Sequence, residues 1–300
     1  MPIDAEKARG AQLPDQPLAW GPDDVMLYHL GIGAGQRPSD LTDAAALRYT
    51  LDYPDADNLQ VLPSFGIVAP MLASTEPPTL DLPGCDIDLA QVLHGSQAIR
   101  VRRPLPPRGT GVLRTRISEV WDKGKAAVIV QEATAVSETG EEMWTATSSI
   151  FVRGEGGWGG ERGPSTAVPV PERAPDRVVD FATSPAQALL YRLSGDRNPL
   201  HADPGFAAGA GFPAPILHGL CSWGIVLREV TDALLDSDAS RVAGYSARFA
   251  GVVFPGETIR IQMWDDTDRV VVRAAIAAPA TPERDGSPVL ADCEVQKAES

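Results

Sequence analysis

The sequence predicts an α+β protein built as two versions of one plan, with antiparallel sheets that each wrap a helix and the complete long helix in the second half. Three observations carry this expectation. A glycine- and proline-rich stretch divides the chain into halves of similar size. Runs of β-type alternation recur in matching order on both sides of it. One helical segment of the second half is apolar on nearly every face, as expected of a helix buried inside its domain.

In the first half, a turn from Pro104 to Pro107 and Gly109 leads into an alternating strand near 112–120 that ends in Trp121-Asp122. β-rich runs follow at 126–136 and 143–152. The break itself reads Gly154-Glu155-Gly156-Gly157-Trp158-Gly159-Gly160 and continues proline-rich to Pro175. This places a first domain at 1–155, a linker at 156–176 and a second domain at 177–300. In the second half Pro255-Gly256 leads into a strand at 258–263 ending in Trp264-Asp265, followed by runs at 270–277 and 289–295. The correspondence is a weak internal repeat.

Two helices stand out in the second half. One opens at Ser184-Pro185-Ala186-Gln187, where Ser184 can act as N-cap, Pro185 suits the first turn and Gln187 completes a capping box. It should end near Ser194-Gly195. The other is expected to start near Pro215 and to continue through Leu227.

Composition narrows the function. The 300 residues are 43% hydrophobic and 22% charged, as in a soluble globular protein, and no apolar run approaches the ~20 residues of a membrane span. Neither a signal peptide nor a peroxisomal or retention tail is read at the ends. A net charge of −14 argues against nucleic acid as a partner. Three widely spaced cysteines fit a reducing cytoplasm better than a disulfide framework or a zinc site. Arg100, Arg102, Arg103, Arg108, Arg114 and Arg116 crowd one window. Singly they read as a solvated strand face; as a cluster they are candidates to steer a phosphorylated ligand.

The loop after the first of these helices holds the candidate chemistry. Asp196, Asn198 and His201 fall within six residues, and Pro199 discourages helix between them. A carboxylate and an imidazole can exchange protons with one water, and an amide can orient it. The same residues also serve as ordinary turn residues bonded to their own backbone, and both readings stand at this point. Further on, Leu217-His218-Gly219 lies at or near the start of the second helix. Unpaired N–H groups and the positive end of the helix dipole lie there, suited to a developing oxyanion, and glycine permits close approach. Gly219 equally suits tight packing of a buried helix.

The string from Tyr191 to His201, with Ala202-Asp203-Pro204 and the run Pro213 to Leu220, resembles the hydratase 2 motif of the MaoC-like family. The resemblance extends into the first half through Tyr28 to Ala34, Leu62 to Gly66, Leu93-His94-Gly95 and Asp122-Lys123-Gly124, and in the second half through Arg248-Phe249-Ala250 and Phe254-Pro255-Gly256. Nearly the whole chain is thus similar to the double-hot-dog hydratase domain of peroxisomal multifunctional enzymes. The resemblance implies a hot-dog fold and reversible, (R)-specific hydration of trans-2-enoyl-CoA to (3R)-3-hydroxyacyl-CoA. It makes Asp196 and His201 the acid/base pair, Asn198 a water-orienting partner and Gly219 an oxyanion donor. It places His94, Gly95, Lys123, Arg197, Pro199, Leu200 and Phe249 against the acyl-CoA. No metal or redox cofactor is implied, CoA being part of the substrate. The first half lacks an Asp-x-Asn-Pro-x-His string and is expected to supply the acyl tunnel. A homodimer and a stand-alone cytoplasmic protein of bacterial type are further expectations. Alternatives at this level are dehydration on a carrier protein, a thioesterase, or a non-catalytic acyl-CoA-binding module.

Overall fold

The computed structural model describes residues 3–53, 58–87, 91–165, 167–278 and 281–299; Thr166 of the expected linker lies outside them. Within these residues ten strands form one antiparallel sheet. They are β1 (Gln16–Trp20), β2 (Val92–Val101), β3 (Gly109–Asp122), β4 (Ala126–Ser137), β5 (Glu142–Arg153), β6 (Arg177–Ala182), β7 (Val242–Phe249), β8 (Thr258–Asp265), β9 (Arg269–Ala277) and β10 (Pro288–Lys297).

The spatial order is β1-β3-β4-β5-β2-β7-β10-β9-β8-β6. Read outward from the middle, each half runs in the same order. β2-β5-β4-β3-β1 mirrors β7-β10-β9-β8-β6, so the repeat in the sequence is a repeat of topology. The two sheets meet edge to edge where Gln97 pairs with Ala247 and Ser96 with Arg248. That pairing satisfies two strand edges that would otherwise stay open. The architecture is a double hot-dog.

The helices differ between the halves. The second half carries Gly219–Leu234, buried without interruption from Leu220 to Thr231. Trp223 stacks on Tyr245 of β7 at 4.4 Å between ring centroids. Among the described residues the first half has no helix of this length; its longest is Pro22–Gly31, directly after β1. The two helices touch at Gly224, where a Cβ would lie 2.6 Å from Tyr28 Oη and 2.7 Å from Ile32 Cγ2. Glycine is required there by the approach itself.

A buried charge cluster lies further along the same helix. Glu229 accepts from Arg228 at 2.6 Å and from Arg37 of the first half at 2.7 Å. Tyr49 donates its hydroxyl to Asp232 at 2.9 Å. Arg228 and Glu229 are each 2% exposed, so their pairing is a condition of burying them and ties one half to the other.

Several expectations shift. The long helix starts at Gly219, with Pro215 to Leu217 extended, because Leu217 N–H bonds Val253 rather than entering a helical turn. The capped helix forms as Gln187–Tyr191 and tightens into a 3₁₀ turn over Arg192–Ser194. Its N-cap is Ala186 rather than Ser184, and Pro185 precedes the helix. Of the expected capping box only the Gln187 arm forms, Oε1 accepting from Ser184 N–H at 3.1 Å, while Ser184 Oγ accepts from Ala186 N–H at 3.1 Å. The arginine window does not form a free basic patch. Arg102 pairs with Glu142, Arg103 with Glu141, Arg114 with Asp15 and Arg116 with Glu132. The stretch after β5 is anchored by Asp122, whose carboxylate accepts from Gly124, Gly157 and Gly159. Those N–H groups, Gly157 first, hold its carboxyl down at about 2.

Candidate active site

A cavity of about 2100 Å³ opens along the seam of the two halves. This exceeds the roughly 300–1,000 Å³ of pockets for drug-sized ligands. Its lining includes Asp196, Asn198, Leu200, His201, Gly219 and Phe249 from the second half and His94 and Gly95 from the first.

The catalytic-loop candidates are held by their own backbone. Gly195 ends the 3₁₀ turn at φ +112°, and a Cβ on it would fall 1.9 Å from Met71 O. Only glycine fits, so the loop is pressed against a first-half segment. Asp196 Oδ1 accepts from Asn198 N–H at 3.2 Å, and Asn198 Oδ1 from Leu200 N–H at 3.0 Å. Pro199 opens the following 3₁₀ turn, Pro199–His201. The turn-residue reading is therefore correct for Asp196 Oδ1 and for the single oxygen of Asn198. Asp196 Oδ2 and the Asn198 NH₂ group are left over for a ligand.

His201 donates Nδ1–H to the Ile216 carbonyl at 2.8 Å. That bond fixes the tautomer and leaves a lone pair on Nε2. Burial pushes the His201 pKa below its ordinary value, against the opposing pull of Asp196. The ring is therefore a neutral proton acceptor near pH 7.

His218 is the residue that sequence reasoning passed over. Its ring stacks on His201 with centroids 3.7 Å apart and on Tyr191 at 4.9 Å. Its Nε2–H donates to the Asp196 carbonyl at 3.3 Å, while Nδ1 is buried with no partner. Burial, and then the neighbouring His201, lower its pKa well below the usual value. His218 was visible within Leu217-His218-Gly219, but its role as N-cap appears only once the helix begins at Gly219 rather than near Pro215.

Asp196, His201 and His218 bring potential ligand atoms within 4.8 Å of one another. Stacked imidazoles direct their in-plane lone pairs side by side rather than to a common point. The set therefore suits proton handling better than metal coordination.

Gly219 is the first residue of its helix, so its N–H has no intrahelical acceptor. A Cβ there would lie 3.0 Å from the Phe249 ring, so close packing and an exposed amide coincide at one glycine. Phe249 in turn packs on His94 at 4.6 Å. His94 Nε2 is buried without a partner, and burial brings its pKa down to about 4. Gly95 sits at a bulge in β2, where a Cβ would meet Ser149 Oγ at 2.7 Å.

The other expected contacts lie apart. Lys123 is at the β3–β4 hairpin, donating to the Arg162 carbonyl with its ammonium 5.2 Å from the Trp121 ring centroid. Arg197 donates to the Ser74 carbonyl at 3.4 Å. Neither they nor Pro199 are in the cavity lining, whose basic members are Arg153 and Arg248. Sequence reading had no signal for Arg153.

A double hot-dog with a carboxylate and a buried imidazole in one cavity with a helix-start amide defines a hydro-lyase of the hot-dog class. The family models agree: the MFE-2 hydratase 2 N-terminal domain matches residues 19–154 and the MaoC like domain residues 166–279. The chain is 53% identical to Enoyl-CoA hydratase ChsH3 of Mycobacterium tuberculosis, over 98% of this chain and 99% of that protein. It is 39% identical to the peroxisomal Enoyl-CoA hydratase 2 of Arabidopsis thaliana, over 88% of each. A MaoC-like dehydratase from Phytophthora capsici superposes with a TM-score of 0.86 at 29% identity, covering 99% of both chains. The protein belongs to the MaoC-like hydratase 2 family.

Proposed function

We propose that the protein hydrates trans-2-enoyl-CoA to (3R)-3-hydroxyacyl-CoA and catalyses the reverse dehydration. The observation that carries this reading is the neutral His201 Nε2 beside Asp196, in one cavity with the Gly219 amide. Two named enoyl-CoA hydratases related over most of their length support it.

The proposed chemistry is syn addition. Asp196 Oδ2, Asn198 and His201 hold one water on one face of the double bond. As its oxygen bonds C3, its proton passes to the Asp196/His201 pair, with His201 Nε2 as the acceptor. Electron density moves onto the thioester oxygen, where the Gly219 N–H stabilises it. A proton from the same pair reaches C2 on the same face, so the pair ends as it began and titrates as a unit. His218 holds the Asp196 carbonyl and packs His201 in place. The thioester acidifies C2, so these steps call for no metal or redox cofactor.

Fatty-acid β-oxidation or related acyl-CoA metabolism is the setting we infer. Catalysis falls to the second domain, 177–300, and the acyl tunnel to the first, 1–155. Lys123, Arg197, Pro199 and Leu200 remain our candidates, with His94, Gly95 and Phe249, for contacts along the CoA and acyl chain. The free cysteines Cys85, Cys221 and Cys293 favour a cytoplasmic location, and a homodimer is proposed from family resemblance. No helix of the described residues is long and apolar enough to cross a membrane.

The test is Asp196→Asn and His201→Ala assayed on crotonyl-CoA. Each should lose on the order of 10²–10⁴-fold in kcat, the range of positioned acid/base groups. A folded variant that keeps near wild-type turnover removes that residue from the pair.

A further inference from the structure

The inner face of the first-half sheet has a feature that a tunnel for a plain hydrocarbon chain does not need. Along β5, cross-strand rows can be read in register. Val101, Trp144, Ala135 and Leu113 make one apolar row, and Ile150 and Ile129 stand in another beside His94. Between them lies a row in which Gln97 faces Ser148 and Ser148 faces Gln131. Thr115 stands diagonally to Gln131, within the reach of side chains in adjacent rows. All four line the cavity.

A sheet face turned to a core or an alkyl chain is expected to alternate apolar residues inward. Polar side chains placed there without partners cost free energy unless water or a ligand bonds them. Gln97 is 3% exposed and uses its amide N–H groups on the carbonyls of Ala98 and Thr147, at 3.0 and 3.3 Å. Its Oε1 lies near the His94 ring, whose pKa it draws up against burial, so the row's free groups are those of Gln131, Ser148 and Thr115. Among the described residues no side-chain hydrogen bond involves Gln131, Ser148 or Thr115. These three are half-buried, and each can donate and accept. The row carries no charge, so it suits a neutral oxygen rather than a carboxylate.

Its position fits the far part of an acyl group. Phe249 links the Gly219 helix start to His94, and Gln97 is three residues from His94 along β2, roughly 10 Å at ~3.3 Å per residue. Beyond it the apolar row of Trp144 and Leu113 joins the main core.

We propose that this row recognises a hydroxyl or keto group on the distal part of the acyl chain, so that the preferred substrates are oxygenated enoyl-CoAs rather than plain alkyl ones. The proposal rests on the hydratase reading above.

The experiment compares trans-2-enoyl-CoAs from eight to fourteen carbons, with and without an ω-hydroxyl, on wild type and on Gln131→Leu/Ser148→Ala/Thr115→Val. Crotonyl-CoA, too short to reach the row, is the reference. Wild type should show, at the chain length that reaches the row, a kcat/KM about three- to tenfold higher for the hydroxylated substrate, the worth of one net hydrogen bond. The triple variant should abolish or invert that preference while keeping crotonyl-CoA turnover. Equal rates for both series at every length in wild type would overturn the proposal. So would a loss in the variant shared equally by crotonyl-CoA, which would put the pantetheine arm on the row. Absence of crotonyl-CoA hydration by wild type would instead overturn the hydratase reading. Should the triple variant fail to fold, Gln131→Leu alone is read in the same way.

Discussion

At the scale of single residues, the site is governed by which nitrogen of His201 is occupied. Nδ1–H is committed to the Ile216 carbonyl, so Nε2 is the nitrogen left for the proposed chemistry. Only the neutral ring can accept a proton, and burial disfavours the imidazolium. The sign follows directly: with its pKa lowered in the folded protein, His201 stays competent as pH falls through 6.5 and is lost only below it. The acid limb of kcat/KM, which reports the free enzyme, should therefore lie below pH 6.5. A limb above that value would show that the ring is more solvated, or more strongly paired with Asp196, than the structure has it. These residues were legible in the sequence as a trio with plausible chemistry. What was not legible was that Asp196 and Asn198 each commit one oxygen to the backbone, leaving Asp196 Oδ2 and the Asn198 NH₂ group over. Nor was the imidazole stacked on His201, since the position of His218 depends on where a helix starts four residues after Pro215.

At the scale of elements, the strands read from the sequence were those with clean alternation: β3, β4, β5, β8, β9 and β10. The four that escaped, β1, β2, β6 and β7, flank the helical segment of each half. β2 is interrupted by Gly95 and a bulge, and β7 contains Gly244, so neither presents an unbroken period of two. The long helix was legible because it is buried on every side, but its charges were not explained by that burial. The structure accounts for them through Glu229, shared by Arg228 and Arg37. Glu229→Ala leaves Arg228 buried with only Asp232 at 3.7 Å as a carboxylate partner. The expected loss is about 3–5 kcal/mol, the cost of uncovering one member of a buried pair, read as a lower urea midpoint at unchanged m. Where the variant is still folded, kcat should be close to wild type, because the cluster lies further along the helix than Gly219. A loss below about 1 kcal/mol would mean that the halves are held by the β2–β7 pairing and by apolar packing rather than by this charge cluster.

At the scale of the whole molecule, the duplication explains why the chain has one candidate catalytic loop and a large cavity. Two copies of one topology join through β2 and β7, and among the described residues only the second copy carries a long helix. The half without Asp-x-Asn-Pro-x-His contributes His94, Gly95 and the face of its sheet to the cavity. Repeated strand order was legible in the sequence. The joining of the two sheets into one was not, because edge pairing depends on strands that lacked a clear period. The solvated strand face read for single arginines holds, but the pairing that neutralises the cluster was not legible, since its acidic partners come from other strands and segments. The proposed chemistry puts water, double bond and both acid/base groups on one face, which makes the product's configuration the most direct test of the account. Incubation of the wild-type protein with trans-2-enoyl-CoA, followed by chiral analysis of the 3-hydroxyacyl-CoA formed, should give the (3R) product. A (3S) product would contradict it.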